Sequence, residues 1–142
     1  MSYVASMTWD IVMGEVIIPM LEADAQLIAE LEGNHIYTQE ASRPVRVPSI
    51  VWDMLDDQLT ELFNPIHVQM DLFARNRASA VIIERRLRLL LHRDTRRQIG
   101  ELDLSTLYED SFSHDYPIPG IVHRSLRFTF EPARRIVASL DS

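Results

Sequence analysis

The chain has no cysteine and no lysine, only four glycines, and no apolar run longer than a few residues. Without cysteine there are no disulfides and no thiolate metal sites, so stability must come from packing. Without long apolar runs no segment can be read as a membrane-spanning helix. Four glycines leave almost nothing from which to build a phosphate-cradling loop. Because lysine is missing, all 14 basic residues are arginine, a forked and permanently charged donor suited to fixed ion pairs. A GC-rich coding sequence would enforce the same usage with no structural motive. The segment Met1 to Ser6 has neither a basic nor an apolar stretch of the kind a secretory signal carries, so use without secretion is expected.

What is present is an ordinary globular composition, 46% apolar and 25% charged over 142 residues. That length suits one domain over 1–142, burying about two thirds of the surface of its unfolded chain. The net charge of −7 argues against a general nucleic-acid binder. Its distribution says more than its total. Residues 1–74 carry two arginines against twelve carboxylates, whereas residues 75–97 carry eight arginines against Glu84 and Asp94 alone. An acidic body with one basic segment can be complementary to copies of itself, although a solvated polar helix face would give the same pattern.

Periodicity supplies the elements. Trp9, Val12, Met13, Val16, Ile17 and Met20 recur at three and four, predicting a helix over 8–23 with Thr8 as its cap. Pro19 should kink that helix or open a new turn. Asp24 reads as a second N-cap for a short helix carrying Leu27, Ile28 and Leu31, stopped by Gly33-Asn34. His35 to Thr38 and Ser49 to Met54 have strand character, separated by a proline-bearing loop expected at a sheet edge. From Ile66 to Ala74 the chain alternates strictly, then Ala80, Ile83, Leu87, Leu90 and Leu91 take up a helical repeat. This second helix is expected over 76–92, its C-terminal end crowded by Arg93, Arg96 and Arg97. Alternation returns at 101–105 and 124–130, with Tyr108 to Gly120 expected as loop or irregular ribbon. The order predicts an α+β fold: a two-layer sandwich, a mostly antiparallel β-sheet with two main helices packed on one face. Val68, Met70, Leu72, Leu126, Phe128 and Phe130 should meet the helices, and His67, Gln69, Asp71, Arg127 and Thr129 should point away.

The residue patterns that usually carry chemistry are incomplete in this chain. The histidines, at 35, 67, 92, 114 and 123, never fall at the spacing that puts two metal ligands on one helix face. Asp53, Asp56 and Asp57 cluster closely enough to hold a hard cation or simply form a solvated turn, and they lack the glycine of a calcium loop. His114-Asp115 beyond Glu109-Asp110 can be drawn as an acid/base pair, but any acidic loop offers such pairs. Ser111 and Ser113 have no nucleophile-elbow glycines beside them. No enzymatic activity, metal or cofactor is therefore expected. Pairing between subunits is the use expected of Arg85, Arg88, Arg93, Arg96 and Arg97, with Asp53, Asp56 and Asp57 as acidic contact candidates. A nucleic-acid-binding accessory protein using the basic helix 76–97 is the alternative from another class.

Three stretches carry a family likeness. Met20-Leu21-Glu22-Ala23-Asp24-Ala25-Gln26-Leu27 runs on to Leu31-Glu32-Gly33-Asn34-His35-Ile36-Tyr37; Val47-Pro48-Ser49-Ile50-Val51-Trp52 follows a proline-bearing loop; and His67 to Ala74 leads into the long helix. In this arrangement the chain resembles the tail terminator, or tail completion, proteins of long-tailed bacteriophages and phage-like gene transfer agents, over roughly residues 10 to 131. The acidic connection from Asp53 to Glu61 and the segment from Tyr108 to Gly120 depart from that pattern. The resemblance implies a structural virion protein, assembled in the host cytoplasm, that forms a ring of usually six subunits at the head-proximal end of the tail. It also implies contacts with the tail tube protein and the head-tail connector or stopper protein, passage of DNA through the lumen without specific binding, and no cofactor, reaction or membrane. Another neck or tail-tip component on the same scaffold would share these features.

Overall fold

The computed structural model describes residues 8–38, 46–56, 64–91, 96–99, 102–114 and 120–132. The first helix, α1, is built from Trp9–Val12, a π turn over Met13–Ile17 and Ile18–Glu22. Pro19 lies at the start of the last of these segments, directly after the π turn, and Ile18 keeps right-handed helical dihedrals. The wider turn accommodates the prolyl ring, which in a regular helix would meet the carbonyl of Glu15. Trp9, Val12, Met13, Ile17 and Leu21 are fully buried, and the Trp9 indole N–H donates to the carbonyl of Asn64 at 2.6 Å.

The short helix α2, Ala25–Leu31, begins where the sequence predicts: Asp24 Oδ2 accepts the N–H of Leu27 at 3.0 Å. It ends on Glu32 in the left-handed conformation and on Gly33, whose N–H bonds the carbonyl of Ile28 at 3.1 Å. The long helix α3, Arg77–Leu90, is capped by Asn76, whose side chain accepts from Ser79 N at 2.8 Å.

The strands are β1 (Ile36–Thr38), β2 (Ser49–Met54), β3 (Ile66–Ala74), β4 (Arg96–Ile99), β5 (Leu102–His114) and β6 (Val122–Pro132). They form one six-stranded sheet in the order β1-β2-β3-β6-β5-β4. Only β1 and β2 run parallel; every other pair is antiparallel. Across the centre, Ile66 pairs with Phe130, Val68 with Phe128 and Met70 with Leu126, which aligns the large apolar side chains of both strands on one face. All six are fully buried and join the inward residues of α1, α2 and α3 in a single cluster. The fold is therefore α+β in two layers, with the helices on one sheet face and His67, Gln69, Asp71, Arg127 and Thr129 on the other, exposed or half-buried.

Two expectations are corrected. The second helix does not extend through the arginine cluster: it stops at Leu90, and Arg96 and Arg97 belong to the edge strand β4, paired with Ser105 and Leu104 of β5. Nothing in the sequence before Gly100 marks that break, since arginine suits either state. Tyr108 to His114, within the stretch expected as loop or irregular ribbon, is strand and continues β5 past a bulge at Tyr108/Asp110. The extra residue breaks the period of two on which strand recognition depends.

Candidate assembly surface

The arginines around α3 divide into those engaged within the chain and those facing outward. Arg75 forks onto Glu32, both N···O distances 3.1 Å. Arg86 forks onto Asp24 at 3.0 and 2.5 Å, and this contact, first of all the hydrogen bond, holds the Asp24 carboxyl below its ordinary range. Arg88 lies 3.6 Å from Glu84 and stands 4.2 Å over the ring of Tyr108 on β5, a cation–π contact. Arg124 Nε comes within 2.8 Å of the other Glu84 oxygen, an ion pair without hydrogen-bond alignment. Glu84 thus ties α3 to β6 through Arg124. Arg77 and Arg85 are exposed and, among the described residues, have no ion-pair partner.

Of the contact candidates read from the sequence, Arg85 faces outward and Arg88 is spent largely on Glu84 and Tyr108. Arg96 and Arg97 sit in an edge strand rather than on the helix. Arg93 and Asp57 lie outside the described residues. Asp53 is half-buried on β2 opposite Gln69, on the sheet face away from the helices. Asp56 accepts from the backbone N–H of His67 at 2.6 Å and lies 3.1 Å from its imidazole Nδ1. The structure thus places Arg85 and Arg88 on a helix and Asp53 on the opposite sheet face.

It gathers a different group. On the helix-free face, Asp71 of β3 takes the hydroxyl of Ser125, the imidazole Nε2 of His123 at 3.1 Å and the side-chain amide of Gln69 at 3.3 Å. The His123 ring stacks on Phe73 with centroids 4.4 Å apart and planes 18° from parallel. Serine, histidine and aspartate meet here, but both the hydroxyl and the imidazole are directed at the carboxylate. The imidazole is not between Ser125 and Asp71, so it cannot take the serine proton as a hydrolytic triad requires. The cluster instead fixes register, because Asp71 pairs with Ser125 and Phe73 with His123 across β3 and β6. The alternation in the sequence places Gln69 and Asp71 outward; that Ser125 and His123 lie opposite Asp71 and Phe73 depends on a register that the sequence does not reveal.

Glu109 accepts from the Thr129 hydroxyl, Ser111 accepts from Arg124 at 3.4 Å, and Asp115 is outside the described residues. Among the described residues no three histidine or carboxylate groups are placed to hold a metal ion. Likewise, no described helix is long and apolar enough to cross a membrane.

The exposed apolar side chains carry more information. Ile82 and Leu89 are 42% and 61% exposed and lie on the outer face of α3, with Arg85 between them at helical spacing. On α1, Ile11 is 36% exposed and is followed one turn later by exposed Gly14 and Glu15. Ile82 and Leu89 thus flank the Arg85 cation on one exposed face of α3.

No protein-family model matches the chain, and no curated protein matches it. Among solved structures, a chain of one described as "Virion of native gene transfer agent (GTA) particle" superposes with a TM-score of 0.61 at 14% sequence identity, covering 82% of this chain and 90% of that chain. At that identity the likeness shows a shared fold.

Proposed function

We propose that this chain is a structural subunit of a phage-like particle, a tail terminator that forms a ring at the head-proximal end of the tail. In this role it stops growth of the tail tube and presents a joining surface to the head. The observation that carries the reading is the shared fold with a chain of a gene transfer agent virion over nearly the full length of both chains. It agrees with the sequence resemblance over residues 10 to 131, which brings the expectation of six subunits, a tail tube protein below and a connector or stopper above. The role needs no reaction and no cofactor. The nucleic-acid reading draws less support, since Arg75, Arg86 and Arg88 are engaged with Glu32, Asp24 and Glu84. An overall charge of −7 suits a lumen that lets DNA pass without holding it.

Electron microscopy of particles from a strain lacking this gene tests the proposal. Filled heads separate from overlong, irregular tails are expected. Joined particles with tails of normal length would overturn it.

A further inference from the structure

Four large apolar side chains are exposed among the described residues, Ile11, Leu55, Ile82 and Leu89, and three of them lie on the outer faces of two helices. Each face also has a charged residue with no ion-pair partner among the described residues. On α3 it is Arg85, three residues after Ile82 and four before Leu89. On α1 it is Glu15, four residues after Ile11 and next to Gly14, whose missing side chain leaves open space at the surface. Other exposed carboxylates are less suitable. Among the described residues Glu32, Asp56 and Glu109 are bonded to Arg75, His67 and Thr129, while Asp110 and Glu131 lie on the strands β5 and β6 rather than on a helix face.

We infer that the outer face of α3 docks on the outer face of α1 of a second copy of this chain, with Arg85 paired to Glu15 inside an apolar rim of Ile82, Leu89 and Ile11. The inference rests on the subunit role proposed above and names the surfaces that make the ring. Charge decides its geometry. Between Ile82 and Leu89 the exposed helix face offers a cation and no acid, so packing α3 on α3 about a twofold axis brings Arg85 toward its own copy. Packing α1 on α1 does the same to Glu15. Like charges held together in a closing apolar contact oppose it, and opposite charges favour the mixed pair. A contact between two different surfaces is heterologous, and heterologous contacts either close into a ring or propagate as a filament. Arg85 can fork onto a carboxylate, which gives the pair directionality as well as attraction.

The absence of cysteine makes the test direct. Chains carrying Glu15→Cys are mixed with chains carrying Arg85→Cys and oxidised at concentrations where the wild-type protein assembles. A disulfide-linked dimer is expected from the mixture and from neither variant alone, and the double variant E15C/R85C should give a ladder up to the subunit number of the ring. Independently, Arg85→Glu should abolish assembly and the exchange E15R/R85E should restore it, with unchanged circular dichroism throughout. Equal cross-linking of one variant with itself, or normal rings from R85E, would overturn this interface while leaving the ring reading in place. A wild-type chain that stays monomeric at every concentration and also leaves tail tubes unbound would remove both.

Discussion

Arg86 and Asp24, 62 residues apart in sequence, close a two-bonded fork that joins the middle of α3 to the first residue before α2. The same carboxylate accepts the N–H of Leu27 and so caps α2. One side chain thus starts a helix and anchors it to another. Asparagine caps as well as aspartate but has no charge for Arg86, whereas alanine loses both functions. We expect Asp24→Ala to be less stable than Asp24→Asn by about 1 kcal/mol, the usual worth of a cap. Urea unfolding of both variants at pH 7 measures the difference. Equal midpoints would mean that the cap contributes nothing here.

The fork also makes a prediction about pH. The Arg86 hydrogen bond holds the Asp24 carboxyl below its ordinary range; burial opposes this, and the Leu27 N–H adds to it. A depressed folded-state pKa means that the unfolded chain takes up the proton first, at about pH 3.9. The stabilisation is therefore fully present above that value and is lost as pH falls through the folded one. Wild type should exceed Asp24→Asn in stability at pH 7, and the gap should shrink as pH falls below about 4. Unfolding midpoints of both proteins across that range decide it, and a gap that is constant down to about pH 2 would exclude Asp24 as the titrating group.

How far the sequence could be read depended on whether a local signal existed. The strand Ile66–Ala74 and the helix after it were legible because both periods are unbroken and Asn76 marks the change. Asp24 and Gly33 were legible for the same kind of reason. By contrast, Tyr108 packs on Phe128 in the core while Phe112, four residues later, pairs on the other side with Arg127 over its ring. In an unbroken strand those two aromatics would share a face, and the bulge between them reverses that parity. Strand β4 was illegible because its only confirmation is pairing with β5. The Arg85 surface could be seen as exposed, yet which arginines were already paired within the chain required the fold.

Ser125, His123 and Asp71 invite a catalytic reading that their wiring does not support. With the hydroxyl donating to Asp71 and the His123 imidazole directed at the same carboxylate, Ser125 should not react with a fluorophosphonate probe under conditions that label a serine hydrolase. Intact-mass spectrometry after exposure to the probe reads this directly, and one adduct on Ser125 would require an alternative arrangement of His123. The cluster should matter for folding instead. Asp71→Ala removes the carboxylate that the buried Ser125 hydroxyl and the half-buried His123 imidazole both contact, at a cost of about 1–3 kcal/mol in urea unfolding.

Two glycines should respond to alanine in opposite directions. Gly33 follows α2 at φ +138°, where a side chain is strained, and a Cβ there would come 3.0 Å from the His35 ring nitrogen. Gly33→Ala should therefore destabilise, through the backbone and through displacement of an imidazole bonded to the Tyr37 hydroxyl at 2.9 Å. Gly14 lies in the π turn of α1 without a positive φ, and a Cβ there meets nothing within 4 Å. Gly14→Ala should stabilise the monomer by about 0.5–1 kcal/mol, because alanine surrenders less backbone freedom on entering a helix. Thermal unfolding of the two variants tests the contrast. A bulkier Gly14→Arg change adds a discriminating case: the monomer should remain folded, since the space is open, while a neighbouring α3 could no longer approach Glu15. Rings that form normally from Gly14→Arg would show that the surface around Glu15 faces solvent in the assembly.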